Sequence, residues 1–188
     1  MVIAQNRELA LLIPRSSKGS EWVSRKLISF ISKRYRGIAP KSLNEVRLLV
    51  QELFSNSVKH TDSESVNVRC RITDSILELW FLNVGRGFKI KPMLKDKTSK
   101  GFLPPYPVEY INKDVLIAKT TGYNLYCTIS NSHEFSLYSE AAENNFKINA
   151  LPEHYGLLII SRLSDTVTYK MESGQNDYFY ITKTLSVN

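Results

Sequence analysis

PKSLNEVRLLVQELFSNSVKH, residues 40–60, carries two signals at once. Val46, Leu49, Val50 and Leu53 recur at the spacing of one helix face, so the stretch predicts an amphipathic helix over about 43–60. Ser42 and Glu45 form an S-x-x-E pair at its start, the pattern of a capping box in which each side chain serves the other's backbone N–H. Along the border of the apolar stripe run Glu52, Asn56, Lys59 and His60. A helix that only fills a core needs none of these four.

Each of them has a chemistry. A glutamate at the rim of a core can act as general base. The amide oxygen of asparagine is a neutral hard ligand suited to Mg²⁺, and lysine is a point charge for phosphate. Taken alone, E-x-x-x-N-x-x-x-H also fits a solvated helix edge ending in a histidine near the negative end of the helix dipole. The rest of the chain has to decide.

Outward from this helix the pattern alternates between sheet and helix. Leu9–Ile13 predicts a strand, and Ser20 can cap a helix over about 20–35 whose Val23, Leu27, Phe30 and Ile31 share a face. ESVNVRCRI alternates apolar and polar residues, whereas ILELWFLNV is apolar on both beats, as expected of a central strand. The two are joined by TDS and read as a hairpin. From about 89 to 153 the pattern gives way to a segment rich in Lys and Pro, followed by LYCTIS and EFSLYS around NSH, and predicts an irregular insertion with a small hairpin. HYGLLIISRLSD then predicts a third helix, and TVTYKM and YFYITKTL a closing hairpin around SGQND. This order of elements predicts an α+β two-layer sandwich: one mostly antiparallel mixed sheet with its helices on one face, in a single domain over 1–188.

Composition bounds the function. At 188 residues and 43% hydrophobic content the chain can bury one core. No apolar run reaches the roughly 18 residues of a membrane span, and no basic leader precedes the first apolar run, so a soluble, cytoplasmic protein without a membrane partner is expected. Cys70 and Cys127 are too few for a disulfide framework. The two cysteines and His60, His133 and His154 do not come at zinc-ligand spacing. Net charge is +7, with Arg15, Lys18, Arg25, Lys26, Lys33, Arg34 and Arg36 set against Glu21. Such a face suits a phosphate backbone, an acidic protein partner or plain solvation, and no recognised nucleic-acid motif accompanies it. Phe102, Tyr106, Tyr110, Tyr123 and Tyr126 of the insertion form either a second contact surface or a small core of their own.

Two glycine stretches bring the edge of the long helix into focus. NVGRGF (83–88) follows the central strand and HYGLL (154–158) opens the third helix, where backbone amides can cradle phosphate. With the helix between Glu52 and His60, these residues resemble the GHKL ATPase and kinase superfamily, which includes gyrase, heat-shock chaperones, histidine kinases and mismatch-repair proteins. Within it the chain most resembles the anti-sigma-factor serine kinases of bacteria. The resemblance covers Leu9 to about Phe88 and His154 to Leu185, and leaves the insertion, in the lid position, without a counterpart.

The resemblance implies a Bergerat-type fold and ATP with Mg²⁺ as ligands. It implies Glu52 as base, Asn56 as Mg²⁺ ligand, Lys59 or His60 beside the phosphates, and Asn83, Gly85, Gly87, His154, Gly156 and Leu157 around the nucleotide. It further implies a serine/threonine kinase or regulatory switch, a protein partner (a sigma factor or an anti-sigma antagonist) and a homodimer. A degenerate relative that binds a protein without catalysis is the alternative. The sequence departs from the family at three positions. Asn83 stands where an Asp receives the adenine amino group, a change worth about 1 kcal/mol. His154 replaces a glycine, and Asn176–Asp177 replaces a Gly-Thr pair that often opens the last strand.

Overall fold

The computed structural model describes residues 2–5, 8–16, 19–60, 64–84, 87–94, 97–98, 100–142, 155–172 and 176–187, with only the backbone at 2–5, 60, 83–84, 94 and 97–98. Alternating side chains build the sheet. Strands β1 (Val2–Gln5), β2 (Glu8–Pro14), β3 (Ser65–Thr73) and β4 (Ile76–Val84) lead to its centre. A separate two-stranded ribbon, β5 (Met93–Leu94) with β6 (Lys97–Thr98), lies outside it. The sheet is continued by β7 (Asp114–Lys119), β8 (Tyr123–Asn131), β9 (Glu134–Ala141), β10 (Thr166–Met171) and β11 (Asn176–Thr184). The nine strands run in the order β1-β2-β3-β4-β11-β10-β9-β8-β7, and each pairing is antiparallel.

Three helices pack on one face of this sheet: α1 (Gly19–Arg34), α2 (Pro40–His60) and α3 (Tyr155–Leu163). The core between the layers takes every second residue of the strands, such as Val66, Val68, Cys70, Leu79, Phe81 and Ile181, together with Leu27, Ile31, Leu49, Leu53 and Ile160 of the helices. Each such side chain contributes about 1.5–3 kcal/mol by leaving water. The architecture is the expected α+β two-layer sandwich, and the 65–84 and 166–184 hairpins form as the alternation predicts. Asp74 turns the first of them with φ 55, a conformation that Asp tolerates better than most residues.

Two expectations are corrected. The segment 89–153 is not an irregular insertion throughout. Its β7, β8 and β9 form a meander, and Phe135 and Ser136 of β9 pair with Tyr169 and Thr168 of β10, extending the main sheet. Most of its aromatics turn inward: Tyr106 is buried, and Phe135 stacks on Tyr169 at 4.9 Å between ring centroids. The capping box is also absent. The helix begins at Pro40, whose fixed φ suits a first helical position, so Ser42 and Glu45 lie inside it. The Ser42 hydroxyl accepts from the Ser186 N–H (3.0 Å), and Glu45 pairs with the buried Lys183 ammonium (2.7 Å). Ser20 likewise lies within α1, which starts one residue earlier at Gly19, where a β-carbon would fall 2.4 Å from the Phe54 ring.

These contacts also fix how α2 lies along the sheet. Its first turns are held at the C-terminal end of β11 by Ser186 and Lys183, while Ala39 N–H donates to the Ser186 carbonyl. Its last turns lie at the other end, where the Arg15 guanidinium beyond β2 donates to the Val58 carbonyl (2.5 Å). Pairing carries that end across the sheet, from Pro14 with Ser65 through Asn67 with Leu82 to Asn83 with Asp177. The polar edge of α2 and the end of β4 therefore share one end of the sheet.

Candidate functional site

Glu52 and Asn56 meet α3 at this end. A side chain at position 156 would displace the Glu52 carboxylate, because a β-carbon there would lie 2.5 Å from Glu52 Oε2 and 3.7 Å from Asn56 Nδ2. Gly156 thus lets the first turn of α3 settle against the carboxylate and amide of α2. The far end of α3 is secured by Lys183, whose ammonium donates to the Leu163 carbonyl (2.8 Å), a cation at a helix C-terminus where the dipole favours it. Held at both ends, α3 directs its N-terminal N–H groups, which have no partner within the helix, toward the site end of the sheet.

The Asn56 amide nitrogen is buried and has no hydrogen-bond partner among the described residues. A buried donor left in this way costs about 1–3 kcal/mol. The two orientations of an asparagine amide are nearly isosteric, so the same side chain can offer its oxygen at this spot instead. That fits a cation delivered with phosphate oxygens. Among the described residues there is no cluster of three or more His, Cys, Asp or Glu able to hold a metal, so such an ion would rely on its phosphates and waters for its remaining ligands.

Of the remaining expected residues, Lys59 is exposed on the last turns of α2. Leu157 is a core residue, so what it can offer a ligand is its backbone N–H. Gly87 has φ +88, and a β-carbon there would strike Pro104 at 2.6 Å, so its glycine is required by the turn itself. Beyond it, the Phe88 N–H donates to the Tyr169 hydroxyl (2.8 Å) and the Phe88 carbonyl accepts from Tyr106 (3.0 Å). Asn83 is placed by its backbone alone, opposite Asp177. Gly85, His154 and the His60 side chain lie outside the described residues.

Sequence reasoning missed Asp177 as a group in its own right. Its carboxylate is buried, with Oδ2 accepting from the Tyr169 hydroxyl (2.9 Å) and Oδ1 without a partner among the described residues. Burial pushes its pKa up, against the opposing hydrogen bond from Tyr169. The available signal was an acid on the same beat as Phe179 and Ile181. A groove of about 660 Å³ opens on the helix-free face of the sheet, lined by Arg69, Arg71, Trp80, Leu82 and Tyr178 among others. Glu52 and Asn56 take no part in it.

The histidine kinase-like ATPase domain model matches residues 23–178, a span that holds α2, both glycine stretches and β10. The chain belongs to this family. The family name, a histidine kinase-like ATPase domain, implies nucleotide binding. The chain is also 35% identical over 65 residues to the signal transduction histidine-protein kinase/phosphatase DegS of Bacillus subtilis (strain 168). That similarity covers 35% of this chain and 17% of DegS, so the chain spans about a sixth of that relative's length. Among the described residues, no helix of the domain is long and apolar enough to cross a membrane.

Proposed function

We propose that the protein binds ATP with Mg²⁺ and passes the terminal phosphoryl group to a serine or threonine of a protein partner, as an anti-sigma-type kinase does. The observation that carries this reading is the α2–α3 junction, where a carboxylate, a partnerless amide and a helix N-terminus meet around Gly156. Glu52 takes the proton of the attacking hydroxyl, a contribution of about 10²–10⁴ in rate for a well-placed base. Asn56 turns its oxygen to the cation, and the N–H groups of Gly156 and Leu157 donate to phosphate oxygens where negative charge grows. Bound Mg²⁺ supplies neutralisation of the phosphate charge. The partner is a sigma factor or an antagonist of an anti-sigma factor, the compartment the cytoplasm and the assembly a homodimer.

Millimolar ATP with Mg²⁺ is expected to raise the melting temperature, since a ligand at a hundred times its Kd stabilises the native state by about 2.7 kcal/mol. An unmoved melting temperature sinks the nucleotide reading. With binding established, Glu52→Ala keeps ATP and loses transfer, and Asn56→Ala loses the Mg²⁺ dependence. Turnover retained in Glu52→Ala removes that residue from the role of base.

A second reading, a protein-binding module without catalysis, draws support from β7–β9, which broaden the main sheet. Its contact surface is the basic face of α1, where Arg34 lies 4.2 Å over the Phe30 ring and Lys26 5.7 Å over Trp22. Under this reading the partner is held equally well with and without ATP, and by Glu52→Ala as by the wild type.

A further inference from the structure

A buried carboxylate oxygen with no partner among the described residues stands at the site end of the sheet, and it belongs to a residue outside both glycine stretches. Asp177 is the second residue of β11, directly across the pairing from Asn83, the last residue but one of β4. Its side chain is not a loose surface group. Asp177 is 7% exposed, and its Oδ2 is fixed by the Tyr169 hydroxyl, which in turn accepts from the Phe88 N–H. Tyr169 itself is clamped between Phe135 and Phe179, with ring centroids at 4.9 and 5.2 Å. Three rigid elements therefore hold the carboxylate in one orientation, leaving Oδ1 as an acceptor that has no partner among the described residues. Such an oxygen carries a desolvation cost that an N–H donor from a ligand would relieve.

The chemistry on either side narrows the donor. Asn83 is neutral, so a ligand amine gains no charge-assisted bond from it. Asp177, one strand away, offers that charge at the same end of the sheet as Glu52 and Asn56. We propose that Asp177 is the base-reading residue of this protein, its free Oδ1 accepting a hydrogen bond from the exocyclic amine of a purine nucleotide. The inference rests on the nucleotide reading above and adds to it where the carboxylate sits: on the last strand, not at the end of β4.

The test uses the full chain with Mg²⁺ and compares Kd for ATP and for purine riboside triphosphate, which carries hydrogen in place of the amine. The wild type is expected to prefer ATP by about ten- to a hundredfold, the range of a hydrogen bond to a charged group. Asp177→Asn keeps the shape and the bond from Tyr169 but sets an NH₂ where Oδ1 stood, so the preference should collapse to near parity while Asn83→Ala retains it. Tyr169→Phe removes the internal partner of Asp177 together with the acceptor of the Phe88 N–H, and separates lost packing from lost base reading: it lowers the melting temperature and keeps a preference for ATP. Should the wild type bind neither nucleotide, the nucleotide reading itself fails. Should it bind both equally, or should Asn83→Ala abolish the preference and Asp177→Asn keep it, the nucleotide reading survives and the assignment to Asp177 is overturned.

Discussion

Gly156 and Glu52 touch across two helices, with no space between the glycine α-carbon and the carboxylate for even a methyl group. The atom a methyl would strike is the tip of a flexible side chain, which can swing away at small cost, and alanine is the better helix former by about 1 kcal/mol. Gly156→Ala is therefore expected to leave the melting temperature within a few degrees of wild type. It also displaces the proposed base, so ATP turnover should fall by about tenfold or more, since misplacement of about 1 Å can cost a hundredfold. Circular dichroism melts alongside a turnover assay separate the two effects, and wild-type turnover in the alanine variant would contradict the placement of Glu52.

Gly19 faces a stiffer neighbour. A β-carbon there would lie 2.4 Å from Cζ of the buried Phe54 ring, which cannot yield without moving α2. Overpacking of this kind costs about 1–3 kcal/mol. Gly19→Ala should lower stability by about 1–2 kcal/mol in urea melts in spite of its better helix propensity. Pairing it with Phe54→Leu should recover part of the loss.

Lys183 joins the ends of two helices, donating to the Leu163 carbonyl and to Glu45. Lys183→Met leaves the half-buried Glu45 carboxylate with only the exposed Lys41 ammonium at 3.9 Å and removes the cation from the end of α3. A loss of about 2 kcal/mol is expected, below the 3–5 kcal/mol of a fully buried pair because Glu45 retains some access to water. Glu45→Gln in the same background should restore a measurable part of it.

Asp177 gives stability a pH dependence of known sign. Its pKa is raised on folding from an ordinary 3.8, so the folded state holds the proton more tightly than the unfolded chain. The contribution of Asp177 is fully favourable below that ordinary value and is lost progressively as pH rises toward the folded value. Asp177→Asn, which is neutral throughout, should melt above the wild type at pH 7, with the gain shrinking as the buffer approaches pH 4. A gain that persists below pH 4 would mean that the ionised carboxylate is not its source.

The sheet and helices were legible wherever period and burial agree. The alternation of Val66, Val68, Cys70 and Ile72 and the stripe of Val46, Leu49, Val50 and Leu53 each follow from one buried face. The capping box was misread because Ser42 and Glu45 found better partners far away in sequence, in Ser186 and Lys183. The strands of 114–141 were partly hidden behind a lead-in rich in Lys and Pro, and the pairing of Phe135 with Tyr169 that binds them to the sheet has no local signature. At the site, Glu52 and Asn56 stood out by their spacing along α2. Asp177 did not, since its meaning depends on Asn83 across the strand pair and on Tyr169 beneath it.

The pairing of β4 with β11 has a consequence for how the molecule assembles. It joins residues on the order of a hundred positions apart, such as Ile76 with Thr184, and closing so long a loop sets the pace of folding. The β7–β8–β9 meander lies wholly inside that loop and is made of short-range hairpins, so it can form early and draw the two ends together. The strands that interrupt the nucleotide-binding domain thus double as the scaffold on which its central strands find each other.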